Sequence, residues 1–176
     1  MINAQLSWFG IFRLGLVQTA LGAIVILTTS TINRVMVVEL MLPAILPGAL
    51  VTLHHALQVL RPRWGHGSDV GGKRTPWIIA GMAMLALGGS GAALATAIMA
   101  DHLIAGIMLA VVAFTLVGVG VGATGTSLLA LLATSVAPER RAPAATIVWL
   151  MMIAGFIVTT VVASTSSTGS TDSSSN

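Results

Sequence analysis

Trp64-Gly65-His66-Gly67-Ser68-Asp69-Val70-Gly71-Gly72-Lys73-Arg74-Thr75-Pro76-Trp77 joins two long apolar runs, 42–60 and 77–99. The stretch is polar, glycine-rich and basic, and a tryptophan stands at each end. Lysine and arginine gather in cytoplasmic loops of membrane proteins, and indole rings gather at the membrane–water interface. This reading makes the stretch a cytoplasmic loop and both neighbouring runs membrane spans. Gly65 and Gly72 allow a tight turn. Lys73 and Arg74 anchor the start of the following helix at the anionic leaflet. Asp69 suits a helix cap or a pairing with an arginine.

Composition supports a membrane chain. Of the 176 residues, 7% are charged and 56% apolar, with a mean hydropathy of +0.97. About a quarter of a typical soluble domain is charged, so lipid must serve as part of this chain's solvent. The absence of cysteine excludes disulfides and thiolate metal sites. A net charge of +3, confined to short loops, is too small for a nucleic-acid footprint. The first residues lack the basic region and cleavage site of a secretory signal, so the N-terminus is expected to be retained.

About 20 mostly apolar residues cross the hydrocarbon core as a helix. Spans are expected at about 14–32, 42–60, 77–99, 103–136 and 144–163, together a transmembrane domain over 14–163. The class is all-α, because a barrel would show alternating strands and turn signals. Residues 1–13, with Trp8, Phe9 and Phe12, suit a short segment lying on the membrane surface. The fourth run is long enough for about 50 Å of helix. A single helix with a cytoplasmic extension is preferred over a bend at Gly118, Gly120, Gly122 and Gly125. Pro43 and Pro47 are expected to kink the outer end of the second span. The Ser/Thr-rich tail, 164–176, lacks apolar periodicity and reads as disordered unless a partner binds it.

Five spans put Arg13, Arg61, Arg63, Lys73, Arg74, Arg140 and Arg141 on one side, seven of the eight basic residues. Arg34 alone falls on the other. The N-terminus is therefore expected in the cytoplasm and the tail outside it.

Gly120-x-Gly122-x-x-Gly125 matches the dinucleotide fingerprint formally, but that motif needs a preceding strand in a soluble unit. Within an apolar helix, small residues such as Gly118 and Gly122 serve close helix packing or docking. His54 and His55 sit inside the second span, where polar groups usually face protein or a cofactor. A neutral imidazole is a good axial ligand for the magnesium of a bacteriochlorophyll. Hydrogen bonding to a neighbouring helix, with Gln58 as a partner one turn on, is the favoured alternative. His66 and His102 read as solvated loop residues. There is no nucleophile–base pair, carboxylate dyad or phosphate loop. No acidic residue lies deep in a span, which argues against proton-coupled transport. The sequence gives no catalytic or metal site and no sign of an enzyme.

Gly65-x-x-x-Asp69-x-x-Gly72-Lys73-Arg74 resembles the loop between the second and third helices of major facilitator transporters. Beyond it, Leu6–Leu16, Asn33–Leu40, Leu60–Asp69, Ala137–Arg141 and Thr146–Met152 are similar to the N-terminal half of the PucC/LhaA, or bacteriochlorophyll-delivery, family of that superfamily. The likeness covers about Leu6 to Val162. It implies an incomplete N-terminal half of a major facilitator fold, in a bacterial inner membrane of the intracytoplasmic or chromatophore type. It also implies work with light-harvesting antenna and reaction-centre polypeptides in purple-bacterial photosynthesis, with bacteriochlorophyll, carotenoid or lipid as candidate ligands. The function expected is a non-catalytic accessory subunit of a reaction-centre–LH1 complex. The alternatives are a transient assembly or bacteriochlorophyll-delivery factor and, more weakly, a solute transporter formed by half-units. Family members have twelve helices in two halves with the substrate path between them, and a lone half leaves helix faces that need a partner.

Overall fold

The computed structural model describes residues 6–70 and 74–172, with side chains described for all of these except 31, 68–70 and 166–172. Every regular element among the described residues is a helix. Among them, four helical runs are long and apolar enough to cross a membrane: Trp8–Glu39, Thr75–Asp101, Leu103–Ser135 and Pro138–Thr165, counted over the described residues.

The first run begins with α1 (Trp8–Ile26), capped by the Ser7 side chain, which accepts from the Gly10 amide at 3.3 Å. It continues through two π-helical turns, Leu27–Thr31 and Val35–Glu39, with the three-residue α2 (Ile32–Arg34) between them. The hydroxyls of Thr28 and Thr29 bond back to the Ile24 and Val25 carbonyls. Such back-bonding competes with the regular ladder and bends helices. The surface segment expected at 1–13 is thus not separate within the described residues. Trp8 opens the first long helix, and Ile11 is fully buried in the bundle.

The chain then reverses at Met41, whose φ is 52°. The second apolar run is built from α3 (Ile45–Ala56) and a 3-10 turn (Leu57–Leu60), and helix continues directly as α4 (Arg61–Val70). Here the expected loop is corrected. Gly65 lies in helix rather than in a turn. Its α-hydrogen face abuts Thr126, 3.1 Å from where a β-carbon would stand. Gly72 and Lys73 lie outside the described residues, as does the Asp69 side chain.

Two long helices follow, α5 (Thr75–Asp101) and α6 (Leu103–Ser135), separated only by His102 at φ −134°, ψ 81°. The long fourth run is one uninterrupted helix. A 3-10 turn (Pro138–Arg140) leads into α7 (Arg141–Asp172). That helix continues past residue 163, where an irregular tail was expected. The Ser164 and Thr165 hydroxyls bond the Val161 and Val162 carbonyls of their own helix, which supplies locally the hydrogen bonds that water would otherwise provide.

Two helix pairs dominate the packing, α5 with α6 and α1 with α7, while α3 and α4 lie along α6. The α5–α6 pair is built on glycine. A β-carbon on Gly120 would stand 2.7 Å from the Gly81 carbonyl oxygen and 2.9 Å from the Leu85 amide nitrogen. In lipid, apolar side chains gain little from leaving their solvent, so close backbone approach supplies much of the helix association. Three buried clusters stack along the bundle. Ile11, Leu128 and Val148 lie at one end, Leu85 and Val117 in the middle, and Met36, Leu50 and Phe114 at the other.

Candidate functional site

Helices α1, α3, α6 and α7 line a half-open cavity of about 370 Å³. Its walls are mostly apolar, including Leu21, Val25, Val121 and Phe156, and its polar groups come from α1, α3, the 3-10 turn, α4 and α6. Gln18 of α1 is 7% exposed and His54 of α3 is 2% exposed. The Gln18 Nε2 donates to the Met152 thioether at 3.2 Å, a weak acceptor. The Gln18 Oε1 and the His54 Nδ1 are buried without a hydrogen-bond partner among the described residues. Buried polar groups are nearly always paired, and each that is not calls for an explanation.

Gln58 ties the wall together. Its Nε2 donates to the Gly118 carbonyl at 3.2 Å and to the His54 carbonyl at 3.4 Å. Its Oε1 accepts from the Arg61 Nε at 2.7 Å. The partnership expected between Gln58 and His54 therefore runs through the His54 backbone, and the imidazole gains nothing from it. Arg61 stands at the basic end of the cavity. It is exposed and forms no ion pair among the described residues.

The two histidines differ in what they can hold. Their rings are 4.8 Å apart, edge to face. An axial ligand needs one open side wide enough for a macrocycle. The enclosed His54 ring does not offer that, while His55 is exposed and can present its imidazole to a pigment plane.

Gly118 and Gly122 are covered from within the chain. Gly118 lies under Leu57 and the His54 carbonyl, and the Trp64 indole of α4 rests on Gly122. Their packing role is accounted for internally, and the exposed surface lies elsewhere. At the basic end, Arg74 donates to the Ala130 carbonyl at 2.6 Å and to the Thr134 hydroxyl. Arg141 donates to the Val136 carbonyl at 3.1 Å. Both arginines thereby bring positive charge to the C-terminal end of α6, where the helix dipole is negative. The Arg140 guanidinium lies 5.7 Å from the Trp8 ring centre, within cation–π range. Arg74→Ala is expected to destabilise the protein by about 1.5–3 kcal/mol, the range for hydrogen bonds made by a charged group. Arg63→Ala, on an exposed side chain, is expected to stay within about 0.5 kcal/mol. Thermal unfolding of the two variants in detergent checks this, and equal midpoints would remove Arg74 from its anchoring role.

Gln18 and Arg61 were not singled out from sequence. Gln18 carried a usable signal, being the one amide within the apolar run 14–32. Arg61 read as one loop charge among several, and only the helical continuation into α4 turns it toward the cavity.

The model of the family described as PUCC protein matches residues 31–171. The "Bacteriochlorophyll synthase 44.5 kDa chain" of Rhodobacter capsulatus is 59% identical over 154 residues, which are 88% of this chain and 36% of that protein. "Protein PucC" of Cereibacter sphaeroides is 35% identical over 156 residues, 79% of this chain and 33% of that protein. "Protein PucC" of Rhodobacter capsulatus is 31% identical over 169 residues, 86% of this chain and 36% of that protein. The chain spans about a third of the length of these relatives. No solved structure matches it significantly.

Proposed function

The chain belongs to the PUCC protein family, and on that premise we propose that it is a non-catalytic integral membrane subunit of a photosynthetic reaction-centre–LH1 complex. The family relation and the apolar helices together support an integral membrane protein with a role in photosynthetic-complex assembly or bacteriochlorophyll-related function. The observation that carries the finer reading is a groove of about 490 Å³ between α1 and α7, on the outside of the bundle. Thr19, Ala20, Ala23 and Ala154 line it between the larger Leu16, Met151 and Val158. Small side chains on a lipid-facing surface let another helix backbone approach closely. A single-span antenna helix is the occupant proposed, and His55 is the proposed contact for a neighbouring pigment.

The bacteriochlorophyll-delivery reading shares the pigment contact but predicts only transient association. Co-purification separates the two: a subunit stays with the mature complex at a fixed ratio, whereas a delivery factor appears only while complexes are being built.

The proposed orientation places residue 8 and α4 at the cytoplasmic face and the end of α7 at the periplasmic face, because the basic residues concentrate at the first of these. The native chain has no cysteine, which makes single-cysteine labelling clean. Cysteine at Gly67 should resist a membrane-impermeant reagent applied to the periplasmic side, and cysteine at Asp101 should react. The reverse pattern would invert the topology.

A further inference from the structure

We propose that the cavity between α1, α3, α6 and α7 binds an anionic amphiphile that carries a hydroxyl group. Three features of its wall define that chemistry. Among the described residues, the Gln18 Oε1 is a buried acceptor without a donor, and the His54 Nδ1 beside the same cavity is also unpartnered. A hydroxyl can donate its one proton to the amide oxygen and accept a second hydrogen bond from the imidazole in its Nδ1–H tautomer. Arg61 spends its Nε on Gln58, leaves its terminal nitrogens for a phosphate or carboxylate, and marks the end at which the anion sits. Leu21, Val25 and Phe156 give an apolar chain its bed. The volume of about 370 Å³ falls within the range of small-ligand sites. It suits a head region with part of a chain.

The cavity has room at Gly125, where a β-carbon would meet nothing within 4 Å. That glycine is a place to plug the site without disturbing the helix contacts. The proposal does not rest on the antenna helix in the α1–α7 groove, because the cavity and that groove are lined by different residues of those helices; His55 alone, the proposed pigment contact, also borders the cavity.

The same chemistry has two sources: a bilayer lipid such as phosphatidylglycerol, or a free hydroxy fatty acid such as 3-hydroxypalmitate. The test uses the full chain, delipidated in a neutral detergent, with affinity and thermal midpoint read for each probe. At least one of the two should bind tenfold or more tighter than phosphatidylcholine and raise the midpoint, and the tighter one identifies the source. Arg61→Gln and Gly125→Phe should each weaken that binding tenfold or more. Gln18→Leu should raise the midpoint of the ligand-free protein, by removing an unpaired buried oxygen, and abolish the preference over palmitate, which lacks the hydroxyl. Arg63→Gln, outside the cavity, should change nothing. Binding that survives Gly125→Phe at wild-type strength, that falls equally in Arg63→Gln, or that shows no preference over palmitate would overturn the proposal.

Discussion

Gly120→Leu should keep the protein from accumulating, while Gly125→Leu five residues along the same helix should be tolerated. The difference is what each new side chain meets. At Gly120 the obstacles are backbone atoms of α5, the Gly81 carbonyl and the Leu85 amide. These cannot turn aside as a side chain can. Gly81 faces the same constraint in reverse, with the Thr124 amide nitrogen 2.8 Å from its β-carbon position. Overpacking costs about 1–3 kcal/mol where neighbours can repack, and more where they cannot. At least 3 kcal/mol is expected here, a large share of the 5–15 kcal/mol that holds a typical domain together. Gly125 has open space, so leucine there enters the cavity and leaves the helix pair intact. Yield of folded protein and the thermal midpoint in detergent check the pair. Equal behaviour of the two variants would mean that α5 and α6 do not pack through Gly120.

The second large effect is expected at Trp64. Its indole lies on Gly122 and clamps α4 to α6. Trp64→Ala should cost about 3 kcal/mol, the low end of the range for large aromatic truncations because the side chain is partly exposed. The cost should appear locally. Freed of its clamp, α4 should open to protease, and tryptic cleavage after Arg63 should speed up tenfold or more while the long helices remain folded. Gly122→Leu should produce the same opening by displacing the indole. The double variant should cost less than the two single ones together, because each removes what the other collides with. Additive costs would show that the two residues do not touch.

Both expectations rest on contacts that the sequence could not display. Long apolar runs announced the helices, since lipid forces every backbone hydrogen bond inside the segment. The all-helical class and the α5 and α6 runs followed from this. The stretch 61–70 was different. Pro62, Gly65 and Gly67 each favour a turn locally, yet the segment is helical because Trp64 and Gly65 find Gly122 and Thr126 on α6. Tertiary packing overrode local propensity there, and a single chain read alone holds no record of its partner helix. The glycines of the fourth run were legible as packing residues. Their partners were not, so Gly118 and Gly122 could be taken equally well for an outward docking face. His54 and His55 stood out as polar residues in a span, but neighbouring positions on a helix point some 100° apart. Only the packing decides that His54 turns inward and His55 outward. Gln18 was legible by the same rule and drew no notice, because one amide in a long apolar run has no local pattern around it.

The central claim is that this chain is a built-in member of a reaction-centre–LH1 complex. Mass spectrometry of core complexes, purified in mild detergent from cells grown to a steady photosynthetic state, tests it directly. The claim predicts this chain in the mature complex at a fixed whole-number ratio to the reaction-centre polypeptides, unchanged when new pigment synthesis is stopped. Absence from the mature complex, or presence only in assembly intermediates and only while pigment is being made, would contradict it and leave the delivery role in its place.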